Sequence, residues 1–319
     1  MSKLDRRDFL GLAAGGAIAA ATGGNAIAGA NDMSEATSAY AFSRPAYVGQ
    51  SHLVVTDLSA VSGYYQKMLG LSVLEDGMSG QVLGVGDLPL LTLTTRGDVR
   101  RAPRNAAGLF HTAFLMPNRR ELARWLRHAA HSNVVLDGAS DHLVSEAIYL
   151  SDPEGNGIEI YADRPHDEWT YLKDGTVAMD TLRLDLQALY DSAPQDSWTG
   201  MPEGSAIGHI HLQVGDIPKA DAFYRDVLGL ELMARYPGAS FFGSGKYHHH
   251  VAANIWNSRG ATARSDEMSG LSDYTLRFNE RAELDKAIAK LDELEIATSR
   301  NGDFVSLKDP WGIGLTLGL

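Results

Sequence analysis

The stretch Val48-Gly-Gln-Ser-His-Leu-Val-Val-Thr-Asp-Leu58 returns later in the chain as Ile207-Gly-His-Ile-His-Leu-Gln-Val-Gly-Asp-Ile217. The landmarks that follow, an aromatic pair and then Leu-Gly-Leu, recur at the same offset. A run of this length at constant spacing indicates an internal duplication. Alternating apolar residues, an Asp and a Gly-Leu stop predict a strand, then a helix, then further strands in each copy.

A second pair of repeats lies behind the first. Gly108-Leu-Phe-His111 matches Gly270-Leu-Ser-Asp273, and each is followed by a helical pattern and by an Asp-Pro-x-Gly turn, at Asp152 and Asp309. The chain therefore reads as four βαβββ modules, which we number one to four. They cover residues 46–95, 107–162, 205–256 and 269–319, with a linker at 163–204.

Composition narrows the class of function. The chain has 319 residues, a net charge of −12, eleven histidines and no cysteine. This length suits two domains, and the negative charge argues against a nucleic-acid partner. Without cysteine there is neither a disulfide framework nor a thiolate metal site, so any metal must be held by His, Asp or Glu.

The N-terminus resembles a twin-arginine export signal. Arg6 and Arg7 precede a short Ala- and Gly-rich apolar run, and small-residue cleavage signatures follow near Ala28. The run is too short for a stable membrane span. We expect a signal at residues 1–30, a linker at 31–45, the twin-arginine translocase as a partner, and a protein that is periplasmic or otherwise exported, with no other membrane contact.

The four modules, with their Asp, aromatic-Tyr, Leu-Gly-Leu and Asp-Pro-x-Gly landmarks, resemble the vicinal oxygen chelate superfamily. The resemblance covers nearly all of the chain after residue 45. It implies an α+β fold, the glyoxalase/bleomycin resistance/extradiol dioxygenase fold, in which paired modules form two half-open sheet cups and a cup holds a divalent metal. The expected domains are 46–162 (modules one and two) and 205–319 (modules three and four).

In this superfamily, metal ligands come from the first and last strands of a module. The first strands offer Gln50, His111, His209 and Asp273, in modules one to four. Glu159 and Thr316 lie on the last strands of modules two and four, and module three ends near His248-His-His250. The good ligands are thus concentrated in modules two and three. We therefore predict a metal cup where these two modules meet and a degenerate cup in modules one and four.

Type I extradiol ring-cleaving dioxygenases are the branch that the ligand pattern resembles most. Carried over to this sequence, the resemblance implies His111, Glu159 and His209 as the metal ligands. Two imidazoles and one carboxylate form the facial triad of non-haem Fe(II) oxygenases. The implied cofactor is Fe(II), although Mn²⁺ fits the same donors, and the implied substrates are a small aromatic diol and O₂. The best-known two-domain members hold their triad in modules three and four, which here offer only Asp273 and Thr316 beside His209.

The same resemblance implies catalytic groups around the metal. His249, chosen over its neighbours in the run His248-His-His250, matches the acid–base histidine on the last strand of its module. Tyr149 and His142 match groups that orient substrate or oxygen. Residues 157–165 match bacterial catechol 2,3-dioxygenases without a break. His52 and His211 are interpreted as structural.

Two other functions share the expected fold. One is a glyoxalase-like lyase or isomerase that uses Zn²⁺ or Ni²⁺, with His249 as a fourth ligand. The other is a metal-binding or small-molecule-binding protein without catalysis. Fold alone does not separate these functions. Glu159 can also be interpreted as an ordinary solvent-facing residue on the polar face of an antiparallel sheet. The sequence is compatible with a homo-oligomer.

Overall fold

The computed structural model describes residues 38–319. The predicted export signal at residues 1–30 lies outside this part of the chain, as do residues 31–37 of the predicted linker at 31–45. Within residues 38–319, no helix is both long enough and apolar enough to cross a membrane.

Each module supplies strands and a helix in the predicted order. Module one contains β1 Ala46–Val54, α2 Leu58–Leu69, β2 Ser72–Gly77, β3 Gly80–Val85 and β4 Leu88–Thr94, and is preceded by α1 Ser38–Phe42. Module two contains β5 Gly108–Leu115, α3 Arg119–His131, β6 Gly138–Asp141, β7 Ser145–Ser151 and β8 Gly157–Asp163.

The second half repeats this order after the linker. The linker holds a 3₁₀ turn His166–Glu168, β9 Leu182–Arg183 and α4 Leu186–Asp191. Module three contains β10 Ala206–Gln213, α5 Ile217–Asp221 continued by the π-helical Ala222–Val227, β11 Glu231–Tyr236, β12 Ala239–Gly243 and β13 Val251–Asn254. Module four contains β14 Gly270–Phe278, α6 Arg281–Glu293, β15 Ser299–Asn301, β16 Phe304–Lys308 and β17 Gly314–Gly318.

The modules pair in the way that the ligand distribution predicted. One sheet has the order β15-β16-β17-β14-β1-β4-β3-β2, so it joins modules four and one through the antiparallel pair β1–β14. The other has the order β11-β12-β13-β10-β5-β8-β7-β6-β9, so it joins modules three and two through β10–β5. We call them the outer sheet and the inner sheet, after the position of their modules in the chain. The α+β fold of two curled sheets is confirmed.

Short polar signals set the ends of the elements. Asp57 and Asp216 precede helices α2 and α5, and their carboxylates accept hydrogen bonds from the backbone N–H groups of Ala60 and Lys219. Such N-caps satisfy donors that a helix leaves unpaired. Helix α2 ends at Gly70, whose φ of 69° is a left-handed conformation that favours glycine.

The Asp-Pro-x-Gly landmarks are tight turns that direct the last strand of a module. The Asp152 carboxylate accepts from the backbone N–H groups of Glu154 and Asn156, and Asp309 does the same for residues 311 and 313. Local side-chain bonds of this kind hold a turn against competing conformations. The turn after β7 therefore fixes how β8, with Glu159, enters the inner sheet.

One apolar core joins both sheets and the long helices. Its members come from all four modules and include Tyr65, Phe114, Trp125, Leu212, Leu276 and Leu291. Strand alternation divides β5 between two environments, because Phe114 faces this core while Ala113 and Leu115 belong to a separate cluster with Tyr161 and Met233. His111 lies on the same side of β5 as Ala113, so the second cluster marks the cup face of the inner sheet.

Candidate metal centre

Three strands of the inner sheet carry the predicted ligands. His111 lies on β5, Glu159 on β8 and His209 on β10. Ala113 on β5 is the register partner of both Glu159 and His209, so a single methyl group separates their side chains. Strand β10 has register shifts on both sides of His209, and such irregularities commonly re-aim a side chain. The cup face thereby brings all three side chains together.

The donor atoms of this triad converge closely. Nε2 of His111 lies 2.9 Å from Oε2 of Glu159 and 3.3 Å from Nε2 of His209, and the latter lies 3.4 Å from the same carboxylate oxygen. Two metal bonds of about 2.1 Å at right angles separate their donors by about 3 Å. All three side chains are buried. Their spacing and donor types therefore fit one divalent ion.

The charges of the triad suit a cation as well. Burial acts to raise the pKa of Glu159, but His209 and His111 together hold the pKa of this carboxyl well below its usual value. Burial lowers the pKa of His209 to about 4. A carboxylate and a neutral imidazole are the forms that bind metals. The Nδ1 atom of His209 is buried without a hydrogen-bond partner among the described residues.

Tyr149 and His142 form a hydrogen-bonded pair beside the triad. Tyr149 on β7 is the direct cross-strand partner of Glu159. Its hydroxyl lies 2.6 Å from Nε2 of His142, whose Nδ1 lies 2.7 Å from the Asp180 carbonyl oxygen. A carbonyl only accepts, so Nδ1 carries the proton and Nε2 accepts from the tyrosine. Burial and then Glu159 raise the pKa of Tyr149 well above its usual value, so the phenol keeps its proton.

His249 also reaches the triad, although its backbone differs from the prediction. The expectation that it lies on the last strand of module three is wrong, because β13 begins only at Val251. Residues 248–250 are irregular, with bends at 248 and 250, and the rings contact different groups, because His248 bonds to Asp163 and His250 to the Ala41 carbonyl oxygen. The His249 ring lies 4.1 Å from the His209 ring, centroid to centroid, and is buried. Burial, with His209 next in effect, lowers the pKa of His249 well below its usual value.

Sequence reasoning missed Asp163, which lies behind His249 and bonds to His248, a histidine that the sequence named only as a neighbour of His249. Asp163 and His248 are both buried, and a hydrogen bond of 2.9 Å joins them. Asp163 ends β8 and shares the face of Glu159, because the two residues are an even number of positions apart. This alternation is the signal that could have identified Asp163.

An aromatic wall borders the triad on the side of His211. The His211 ring lies 4.8 Å from the His111 ring and 4.9 Å from that of Phe110, with Trp256 at 5.5 Å and Phe241 at 5.7 Å. Nε2 of His211 also accepts a hydrogen bond from the Asn254 side chain. Because His211 lies two residues after His209, strand alternation predicts that these two histidines share a face. It does not predict the aromatic neighbours of His211.

The chain belongs to the Glyoxalase/Bleomycin resistance protein/Dioxygenase superfamily. The family model matches residues 45–160 and 206–316, which hold most of modules one and two and of modules three and four. The family includes more than one chemistry, so membership establishes the scaffold and not the reaction.

A curated relative narrows the class. Over 268 residues the chain is 35% identical to a catechol-2,3-dioxygenase from Bacillus subtilis (strain 168), covering 83% of this chain and 94% of the relative. Solved structures share the fold at low identity. A Bacillus subtilis protein aligns with a TM-score of 0.58 at 12% identity, over 85% of this chain and 84% of its own. Glyoxalase I from Zea mays aligns with a TM-score of 0.52 at 16% identity, over 88% and 94%. The relative in sequence supports a dioxygenase that uses O₂ as oxidant.

Proposed function

We propose that the protein is an extradiol dioxygenase of the catechol 2,3-dioxygenase type, which holds Fe(II) on His111, Glu159 and His209. The observation that carries the proposal is the convergence of their three donor atoms within 2.9–3.4 Å on the cup face. Two imidazoles and one carboxylate leave adjacent coordination positions open. Mn²⁺ has the same donor preferences, so the metal is part of the test.

Iron(II) bound there would supply neighbouring positions for both diol oxygens and for O₂ and would lower the pKa of the diol. The side chains around it would transfer protons and form hydrogen bonds. His249, with its ring against His209, takes the proton of a diol hydroxyl and returns it later in the reaction. Tyr149 donates its hydroxyl hydrogen to Nε2 of His142, which holds the hydroxyl in place, so its oxygen is left to accept a hydrogen bond at the edge of the triad.

The aromatic wall gives the substrate ring a surface to pack on. Phe110, Trp256 and Phe241 surround the His211 ring beside the triad, and Trp256 remains about half exposed. Aromatic pairs at centroid separations of 4.5–7 Å are attractive. A flat aromatic diol fits this arrangement, which supports a catechol as the substrate class.

The direct test uses metal-free protein reloaded with Fe(II) under anaerobic conditions. Catechol and its 3-methyl and 4-methyl derivatives are then added with air. We expect O₂ uptake equal to the diol consumed and a yellow ring-fission product, while Glu159→Gln shows neither. Iron-loaded protein that consumes none of these diols would overturn the proposal. So would turnover of a thiohemiacetal with Zn²⁺ or Ni²⁺ in place of diol cleavage, as in a glyoxalase-like lyase.

We also propose export through the twin-arginine translocase, on the evidence of Arg6, Arg7 and the apolar run behind them. This route carries folded proteins, which suits a metal enzyme loaded before export. Changing both arginines to lysine in the full-length chain is expected to retain the protein in the cytoplasm of a bacterial host. Equal periplasmic fractions for the variant and the natural sequence would contradict export by this route.

A further inference from the structure

A chain of hydrogen bonds runs from Asp163 to His249 behind the triad. Oδ1 of Asp163 lies 2.9 Å from Nε2 of His248, and Nδ1 of His248 lies 2.8 Å from Nδ1 of His249. The other Asp163 oxygen, Oδ2, accepts a hydrogen bond of 2.8 Å from the Tyr247 hydroxyl. All four side chains are buried, so water does not compete for these bonds.

The Asp163 carboxylate, at one end of this series of hydrogen bonds, determines which atom donates and which accepts in each of them. A carboxylate only accepts, so His248 donates from Nε2 to Asp163. With one hydrogen on the His248 ring, its Nδ1 is bare, and the facing Nδ1 of His249 carries the hydrogen that joins the two rings. Neutral imidazole has one N–H, so Nε2 of His249 is left as a free lone pair. No described residue makes a hydrogen bond to this Nε2.

We propose that Asp163 is a positioning residue, which acts through His248 to hold the His249 ring in place and in the tautomer that leaves Nε2 free to accept a proton. The role in catalysis rests on the proposed function, whereas the tautomer itself does not. The physical reason is that an imidazole whose second nitrogen has no partner rotates and populates both tautomers. The bonds from Asp163 to His248 and from His248 to His249 prevent ring rotation and the second tautomer at His249, which lies beside His209.

Substitution of Asp163 makes a sharp prediction. In Asp163→Asn the buried Tyr161 hydroxyl, 3.0 Å from the Tyr247 hydroxyl and with no other partner among the described residues, donates to Tyr247. Tyr247 therefore gives its own hydrogen to the amide oxygen, as it does to Asp163, and the amide NH₂ group faces His248. Nε2 of His248 must then accept, its Nδ1 must donate, and His249 receives that bond on Nδ1. The hydrogen of His249 moves to Nε2. In the double variant Asp163→Asn/Tyr247→Phe the amide is free to turn, and its oxygen restores the original order.

The test is ¹⁵N NMR of the histidine rings in metal-free protein, with the His249 signals assigned by their loss in His249→Gln. We expect a protonated Nδ1 in the natural protein and in the control Tyr247→Phe. Asp163→Asn should move the proton to Nε2, and the double variant should reverse this. An unprotonated Nδ1 in the natural protein, or no change in Asp163→Asn, would overturn the proposal. Failure to cleave catechol would leave these spectra unaffected.

Kinetics of the iron-loaded enzyme provide the second measurement. Asp163→Asn should lower kcat for the diol by about 10- to 100-fold, the usual effect of losing an outer-shell partner, and KM and iron content should stay unchanged. The double variant should recover most of the loss. A decrease in kcat that is equal in the single and double variants would contradict the positioning role, because the lost activity would then not follow the tautomer.

Discussion

The two sheets of the molecule have the same backbone arrangement, but they carry different side chains at the centre of the cup. His211 is the direct cross-strand partner of His111 in the inner sheet, and His52 is the direct partner of Asp273 in the outer sheet. Tyr149 faces Glu159 across β7 and β8, and Ser306 faces Thr316 across β16 and β17. Backbone geometry therefore survives in both cups, while among residues 38–319 a set of three converging metal donors occurs in only one. The shared backbone arrangement determines where ligands would lie, whereas the side chains at those positions determine whether a metal can bind.

Two equivalent glycines, Gly157 and Gly314, show how similar the backbones of the two cups are. A Cβ atom on Gly157 would lie 2.1 Å from the Phe110 carbonyl oxygen and 3.1 Å from Cβ of His111. On Gly314 it would lie 2.6 Å from Cβ of Asp273, the counterpart of His111. In both cups the last strand thus starts with a residue that has no side chain, because the first strand of the module lies too close for one.

Polar side chains in the outer cup are satisfied by each other. His52 lies 2.8 Å from the Asp273 carboxylate and 2.7 Å from the Thr94 hydroxyl, and the Gln50 amide donates to Thr92. Thr275 stands where the inner cup has Ala113, and its hydroxyl accepts from the Gln50 backbone. A cavity of about 850 Å³ lies at this cup and is lined in part by Asp273 and Thr316. The set lacks the convergent His and Glu donors of the inner cup.

Ligand substitutions should separate the two cups most strongly. Glu159→Gln keeps the shape of the side chain but removes its charge, so iron content should fall from one ion per chain to near zero. The loss of affinity should exceed the 10- to 100-fold of an outer-shell change. Thr316→Ala is the matched control in the outer cup and should leave iron content unchanged by elemental analysis. Equal iron loss in both variants would show that the cups are not functionally distinct.

Tyr149→Phe tests the pair that faces Glu159. The variant loses the hydroxyl that binds His142, so we expect kcat to fall by about 100-fold, the lower range for an acid–base group, with iron retained. Ser306→Ala changes the matching position opposite Thr316 and should have no effect on kcat. A Tyr149→Phe enzyme with normal turnover would reduce this tyrosine to a packing residue.

Stability against acid should depend on the histidines of module three. Burial lowers the pKa of His250 to about 3, and the corresponding position in module one is the buried Leu90. The unfolded chain protonates this histidine near pH 6.5 and the folded chain does not, so stability present above about pH 6.5 is lost as the pH falls toward 3.

His250→Leu copies the outer module and removes this one proton. Between pH 6.5 and pH 5 the metal-free variant should lose about 1.5 kcal/mol less unfolding free energy than the natural protein, measured by urea titration at both pH values. The comparison is between pH slopes, so a uniform packing cost cancels. Parallel pH slopes for the two proteins would argue against a buried neutral His250.

The smallest effect is expected at Asp273. Its ion pair with His52 is partly exposed, and such pairs contribute about 0.2–1 kcal/mol. Asp273→Ala should therefore lower the unfolding free energy by at most about 1 kcal/mol and leave diol cleavage unchanged. A large loss of turnover would mean that the outer cup takes part in the reaction of the inner one.

The domain boundaries at 46–162 and 205–319 stay predictions, because each sheet takes one module from each half of the chain. The linker segment at residues 182–191 forms two elements. This segment begins as the short strand β9, which pairs with β6 at the edge of the inner sheet, and its helix starts only at Leu186. An unpaired edge with free backbone groups competes with local helix propensity there.

The sequence by itself determined the modules and the ligand types. Repeats, capping Asp residues and Asp-Pro turns are local signals, since each works through neighbours a few residues away. The concentration of His111, Glu159 and His209 in modules two and three was also readable, and it predicted the pairing of these modules because a metal site needs all of its donors on one face.

Only the tertiary structure decided how the groups around the triad bond to one another. The contacts of Asp163 with His248, and of His142 with the Asp180 carbonyl, join residues that are distant in the chain. Their geometry depends on bends at residues 248–250 and on the path of the linker, where no periodic pattern exists. Hydrogen bonds need distances within a few tenths of an ångström, a precision that alternation along a strand does not provide.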